Sequence, residues 1–234
     1  MHFGQLHYLP LPLHYFSFLV VVFLVLFALI QIRALQFVYA RLGISAPAAL
    51  LLLLASLLGS YVNIPITELP AQRVLINEPV VSFFGMPYVI PRVVDWPGTI
   101  IAVNVGGALV PGLLSLYLLA RHGLWVAGLI ATAFVTIVCN LLAQPVEGVG
   151  IAIPTVIPAL AAAVAAIVVA RQSAAAVAYI SGSLGCLIGA DLLNLDKLQG
   201  LDAPVASIGG AGTFDGVFLM GVIAVLLASL PRWR

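Results

Sequence analysis

Two aspartates flank a glycine-rich connection near the end of this 234-residue chain. Asp191 lies late in one apolar segment, and Asp215 opens the next segment directly after the stretch 209–214. The two segments are consecutive and antiparallel, so both carboxylates are expected at the same level of a membrane. Two close carboxylates cannot both ionise, and such a pair can activate water for amide hydrolysis, one as base and one as acid.

A structural role is the alternative for each acid. Asp215 suits the N-cap of the last apolar helix, where the helix dipole favours a negative charge. Asp191 lies about one turn inside the end of its helix, close enough to reach the membrane interface. An ionisable residue inside a membrane segment is nevertheless a functional candidate by default, because burying it in hydrocarbon is costly.

Further polar residues are expected at the same level as the two acids. Together with Asp191 and Asp215 they predict an outward-facing polar cavity, in which binding residues would be Asn63, Asn104, Asn140, Glu147, Gly210 and Gly212. Glycine and proline near Asn104 and before the fifth segment loosen the helices there and expose backbone carbonyls.

Composition places the chain in the membrane class. Hydrophobic residues make up 63% and charged residues 7%, whereas soluble domains carry about 25% charged residues. The net charge of +1 provides no basic field for nucleic acid. The sequence contains no P-loop, dinucleotide fingerprint, CxxC or HExxH motif, and the spacing of His and Cys predicts no metal site. No cofactor is expected.

The apolar runs are long enough to span a bilayer, at about 20 residues each. They predict an all-α polytopic protein forming a single transmembrane domain, 1–234, whose seven helices cover about 14–38, 46–62, 99–120, 124–143, 155–170, 174–195 and 215–230. Prolines interrupt the long loop 63–98, and extended pieces around Gly85 predict a small hairpin there. Small residues in the fifth and sixth segments, including Gly182 and Gly185, favour close helix packing.

Charge distribution predicts the orientation. The basic residues on one side of the predicted helices are Arg33, Arg41, Arg121, Arg171, Arg232 and Arg234, whereas all eight acids fall on the other side. The positive-inside rule therefore places the N-terminus outside and the C-terminus inside. The predicted location is the cell inner (cytoplasmic) membrane.

Two resemblances arise from these motifs. YVNIPI, NVGGALVP, GADLLNL and GGAGTFDGVFLMG resemble an uncharacterised prokaryotic multi-pass membrane family, a domain of unknown function. That similarity covers most of the chain after Gly43 and implies no activity. An Asp in one helix, a Gly-x-Gly element and an Asp opening the next helix resemble presenilin-like intramembrane aspartyl proteases, although Thr213 and Phe214 separate the glycines from the second acid. This resemblance implies that Asp191 and Asp215 form a catalytic dyad.

Three functions follow as hypotheses. The first is aspartyl-type hydrolysis of a membrane peptide by Asp191 and Asp215. The second is cation- or proton-coupled transport of a small solute by the same acids with Asn104 and Asn140. The third is a non-catalytic subunit of a larger membrane complex, with the loop 63–98 as docking element. The expected partners are the lipid bilayer and, according to the function, a membrane peptide, a small solute or a partner subunit.

Overall fold

A computed structural model describes residues 13–69, 73–77, 81–83, 86–88, 91–95, 98–146, 150–198, 205–210 and 216–230. Seven α-helices occur within these residues. They are α1 (Leu13–Arg41), α2 (Ala46–Gly59), α3 (Val110–His122), α4 (Trp125–Leu142), α5 (Val156–Val169), α6 (Ala174–Cys186) and α7 (Gly216–Ser229).

Helical structure continues beyond two of these helices with altered geometry. A π-helical turn, Val105–Leu109, precedes α3, and a second one, Leu187–Asp191, follows α6 and runs into the 3₁₀ helix Leu192–Leu198. A third irregular turn, Arg171–Ser173, precedes α6. Single π turns inside longer helices are uncommon and occur frequently at functional sites.

Four helical spans among the described residues are long and apolar enough to cross a membrane. These spans are Val20–Arg41, Val105–His122, Trp125–Leu142 and Arg171–Lys197. The helices Ala46–Gly59, Val156–Val169 and Gly216–Ser229 are apolar but shorter. The chain is therefore a helical protein with membrane-type segments, as predicted. That seven helices cross the membrane, and in which orientation, stays a prediction.

The helices pack around α6. This helix contacts α3, α4, α5 and α7, and most of its residues are buried, including Tyr179 and Ile180. Most of α1 is exposed, and it joins the core near its C-terminal end through Val38, Tyr39 and Leu42. Many large apolar side chains elsewhere on the helices are exposed, as expected for surfaces that face lipid tails.

Short strands connect the helices. They are β1 (Asn63–Glu68), β2 (Arg73–Asn77), β3 (Val81–Phe83), β4 (Met86–Tyr88), β5 (Pro91–Asp95), β6 (Ile100–Asn104), β7 (Gln144–Val146), β8 (Gly150–Ala152) and β9 (Val205–Ile208). The pairs β2–β5 and β3–β4 are antiparallel and nested, which confirms the small hairpin predicted in the loop 63–98. Gly85 itself lies outside the described residues.

A three-stranded sheet corrects the third predicted helix. The sequence predicted helix from residue 99, but Ile100–Asn104 forms β6, the middle strand between antiparallel β1 and parallel β9. Residues 100–104 are rich in β-branched side chains, which favour a strand. When a short apolar run continues into a helix, its hydrophobic periodicity does not distinguish a strand from a helix.

Glycines set the distance between α4 and the helical region around α6. A Cβ on Gly185 would lie 2.7 Å from Val135 Cβ, and one on Gly189 would overlap Thr136 O and lie 2.8 Å from Cys139 Cβ. These two glycines are four residues apart and so share one helix face. On the α7 side, a Cβ on Gly182 would lie 3.3 Å from Ala224 Cβ. The predicted close packing is therefore present.

We expect Gly185→Ala and Gly189→Ala to lower the free energy of unfolding by about 1–3 kcal/mol, because the added methyl group overpacks the contact with α4. Thermal unfolding of the purified protein in detergent measures this loss. Gly112→Ala is the matched control, since nothing lies within 4 Å of a Cβ there; alanine at a helical position is neutral or stabilising by up to about 1 kcal/mol. Equal melting temperatures for all three variants would contradict the packing argument.

Candidate functional site

Asn104 is fully buried where β6 passes into the first π turn. Its Nδ2 donates to Ser60 O at 2.7 Å and to Asn63 Oδ1 at 3.1 Å. Its Oδ1 accepts a 2.7 Å hydrogen bond from Gly107 N. The side chain therefore caps the π turn and also satisfies the backbone at the end of α2. A buried amide with these three bonds joins segments that are separated in sequence.

Asn63 and Ser207 extend this group across the sheet. Asn63 lies opposite Asn104 in the β1–β6 register, and its Oδ1 also accepts a 2.6 Å hydrogen bond from Ser207 Oγ on β9. Asn63 is exposed and Ser207 is half-buried. We call Asn63, Asn104 and Ser207 the amide cluster. It runs from a fully buried residue to the surface of the sheet.

The first π turn also fits closely against α2. Ser56 Oγ donates to Gly106 O at 2.7 Å. A Cβ on Gly106 would overlap Ser56 O and Ser60 N, and one on Gly59 would lie 2.9 Å from Gly106 N. The end of α2 and the π turn therefore meet backbone to backbone, and only glycine fits between them.

A second backbone contact joins the two strand ends of the parallel pair. A Cβ on Gly107 would overlap Gly209 O, and one on Gly209 would lie 2.5 Å from Ala108 N. Gly209 has φ +85°, a conformation that side chains of L-residues rarely adopt. The turn after β9 thus lies directly on the first π turn.

Asp191 binds the opposite side of this turn. It ends the second π turn and is half-buried. Its Oδ2 accepts a 2.7 Å hydrogen bond from Gly209 N, a charge-assisted bond when the carboxylate is ionised. Gly209 therefore connects the carboxylate on one broken helix with the π turn of the other.

Asn194 stabilises the second π turn by donating to its carbonyls, whereas Asn104 accepts from an N–H of the first. It is buried, and its Nδ2 donates to Gly189 O at 2.9 Å and to Ala190 O at 3.0 Å. Lys197 Nζ donates to Asn194 Oδ1 at 2.6 Å. Asn140 on α4 also donates to Gly189 O, at 3.3 Å. Carbonyls that the π turn frees from the regular helical pattern are thus satisfied by amides.

The predicted site residues divide into two groups. The structure places Asn63 and Asn104 in direct contact, joins Asp191 to the same region through Gly209, and places Asn140 at the carbonyl two residues before Asp191. Gly210 follows Gly209 with φ +84°. The predicted residues Asp215, Gly212 and Glu147 lie outside the described residues. A role for any of these residues in binding or catalysis stays a prediction.

Sequence reasoning missed Ser60, Ser207 and Asn194. One signal pointed to Ser207: the sequence Ser-Ile-Gly-Gly-Ala beginning there parallels Asn-Val-Gly-Gly-Ala beginning at Asn104. In the structure both runs follow parallel paired strands. In the part of the chain that the structure describes, no group of three or more His, Cys, Asp or Glu side chains is arranged to hold a metal ion.

The apolar helices, the two π turns and their amide and carboxylate partners define a helical protein of the membrane class. The chain belongs to the DUF1614 family, described as a protein of unknown function, whose family model matches residues 57–227. That range contains the amide cluster, both π turns and Asp191. Comparisons with curated proteins and with solved structures give no match. The predicted membership of a family of unknown function is confirmed, whereas the prokaryotic, multi-pass membrane character of that family and the resemblance to presenilin-like proteases stay predictions.

We expect Asn104→Ala to destabilise the protein by about 1–3 kcal/mol for each buried partner left without a hydrogen bond. Ser60 O and Gly107 N are those partners. The melting temperature in detergent measures the effect. Asn140→Ala is the matched control, because it removes one longer bond from a half-buried side chain. An Asn104→Ala variant as stable as Asn140→Ala would show that the amide does not support the π turn.

Proposed function

We propose that this protein hydrolyses an amide bond of a membrane peptide with Asp191 and Asp215 as a carboxylate pair. The observation that carries the proposal is the packing beside the two acids. Ala190, the neighbour of Asp191, and Val217, two residues after Asp215, belong to one buried cluster. The chain neighbours of the two acids therefore belong to the same buried core, which supports the proposal that the two carboxylates lie close together.

The hydrogen bond to Gly209 supports a defined position for Asp191. Its carboxylate is held by a backbone N–H on a turn that no side chain can crowd, and a positioned carboxylate is what acid–base catalysis needs. Gly209 also begins the connection that leads to Asp215. The Asp191 side chain itself is half-buried.

In the proposed reaction the carboxyl groups of Asp191 and Asp215 share one proton, so that one is ionised and the other is protonated. The ionised carboxylate takes a proton from water while the water oxygen bonds to the carbonyl carbon of the peptide. The protonated carboxyl gives its proton to the carbonyl oxygen, and two close acids keep one proton between them. The carboxyl that took the proton from water then gives it to the amine nitrogen, the carbon–nitrogen bond breaks, and the other carboxylate recovers a proton from a hydroxyl group of the tetrahedral intermediate.

We expect Asp191→Asn and Asp215→Asn each to abolish cleavage of single-span peptides in proteoliposomes, read by mass spectrometry of the products. An asparagine Oδ1 at position 191 still accepts the Gly209 N–H, so the turn stays in place while the ionisable group is lost. Asp196→Asn is the control, because Asp196 is an exposed acid five residues along the chain.

Comparison with Asp191→Ala separates chemistry from structure. Cleavage that survives Asp191→Asn but fails in Asp191→Ala would make the hydrogen bond, and not the acid, the important property. Cleavage that survives both Asn variants would refute the carboxylate pair.

A crosslink tests the required distance directly. In a protein with Cys139 and Cys186 replaced, we expect cysteines at positions 191 and 215 to form a disulfide in membranes, which requires Cα atoms within about 7 Å. Cysteines at 196 and 215 are the control. A folded protein that does not crosslink at 191 and 215 would exclude a dyad.

Transport of a small solute or cation is the second candidate, favoured by the two π turns. Transporter sites are commonly built where membrane helices are broken and backbone groups line a cavity, and here the amide cluster and Asp191 lie beside both breaks. Uptake into proteoliposomes that is lost in Asn63→Ala and in Asp215→Asn, with no cleavage of peptides by the wild type, would favour transport over hydrolysis. If the protein is instead a non-catalytic subunit, Asp191→Asn and Asp215→Asn should both have no effect on its function, and assembly of the complex should depend on residues 63–98.

A further inference from the structure

An apolar groove lies between α2 and α3. Its volume is about 680 Å³, within the 300–1,000 Å³ range of ligand pockets. Each helix contributes a stripe with spacing i, i+3, i+4 and i+7, which places the four residues on one face. The lining residues are Ala48, Leu51, Leu52 and Ala55 on α2, Val110, Leu113, Leu114 and Tyr117 on α3, and the turn 43–45.

The groove has the depth of one membrane leaflet. From Ser45 at its mouth to Ala55 at its far end, α2 rises about 15 Å at 1.5 Å per residue. The hydrocarbon core is about 30 Å thick. A phospholipid acyl chain covers one leaflet, whereas a partner membrane helix runs through both. The small side chains of Ala48 and Ala55 leave the space that such a chain would fill.

Cationic residues mark the mouth of the groove. Arg121 lies one turn after Tyr117, and its guanidinium carbon is 5.8 Å from the centre of the Tyr117 ring that lines the groove. Arg41 precedes the turn 43–45 by two residues and stacks on Phe37 at 4.9 Å. Both arginines are exposed. Guanidinium groups pair with phosphate oxygens in a fork geometry.

We propose that this groove binds an anionic phospholipid, with an acyl chain between α2 and α3 and the phosphate at Arg121. Basic residues between membrane helices recognise anionic headgroups in this way. The assignment is independent of the function proposed for Asp191 and Asp215, because the groove shares no residue with that site.

Native mass spectrometry of the full-length protein in detergent tests the assignment with two probes, palmitoyl-oleoyl phosphatidylglycerol and palmitoyl-oleoyl phosphatidylcholine. The acyl chains are identical, so any preference reports the headgroup. We expect the wild type to prefer phosphatidylglycerol by about fivefold for each cation near the phosphate. Arg121→Gln should lower that preference about fivefold without weakening phosphatidylcholine binding, and Arg121→Lys should retain most of it.

Two further variants separate the groove from general charge effects. Ala55→Phe fills the far end and should reduce binding of both lipids, while Arg171→Gln, which removes a charge outside the groove, should leave the preference unchanged. Arg121→Gln with an unaltered preference would overturn the assignment, and so would Ala55→Phe with unaltered binding of both lipids. A wild-type dimer that Ala55→Phe converts to monomer, with lipid binding unchanged, would assign the groove to a second copy of the chain instead.

Discussion

A backbone that leaves regular helical geometry inside a membrane has to satisfy its freed polar groups from within the protein, because lipid tails offer no hydrogen bonds. The constraint concerns two segments of this chain that are long and apolar enough to cross a membrane, at the π turns before α3 and after α6. At each break a buried asparagine supplies the missing partners: Asn104 at the first and Asn194 at the second. The arrangement of sheet, turns and helix ends around them follows from this requirement.

The two breaks are joined as well as capped. Gly209 lies on the first π turn with its backbone and binds Asp191 of the second π turn with its N–H. Since no side chain can be accommodated at Gly107 or Gly209, main-chain contact fixes the distance between Gly209 and the first π turn, and the Asp191 side chain joins this contact to the second π turn. The Asp191 carboxylate, held in this way, keeps a constant position relative to the amide cluster. Catalysis or ligand binding beside the two π turns would depend on that fixed position.

Several parts of this architecture could be predicted from sequence. Long apolar runs predict helices, prolines around residues 63–98 predict short extended pieces, and the glycines of α6 predict close packing. The strand β6 could not be predicted, since Ile100–Asn104 continues directly into an apolar helix and its partner β9 is far away in the sequence. Parallel pairing between strands that are distant in the chain produces no local pattern in a single sequence.

The same reasoning explains the uneven prediction of the site. Asn104, Asn140 and Asp191 attract attention because polar residues are rare in apolar segments. Asn194 lies where polar residues are ordinary, so nothing distinguishes it until the turns are known, and Ser207 is marked only by the short sequence that parallels the one beginning at Asn104.

The order in which the chain is made has a consequence for the amide cluster. Ser60, Asn63, Asn104 and Gly107 are synthesised early and can meet as soon as α2 and α3 have been made. Ser207 follows Asn63 by 144 residues, so β9 can pair with β6 only after α4, α5 and α6 have been synthesised. Contacts between such distant segments form late in folding. The complete arrangement around Asp191 therefore forms only after the chain has been made as far as Gly209, and a chain that ends before β9 lacks it.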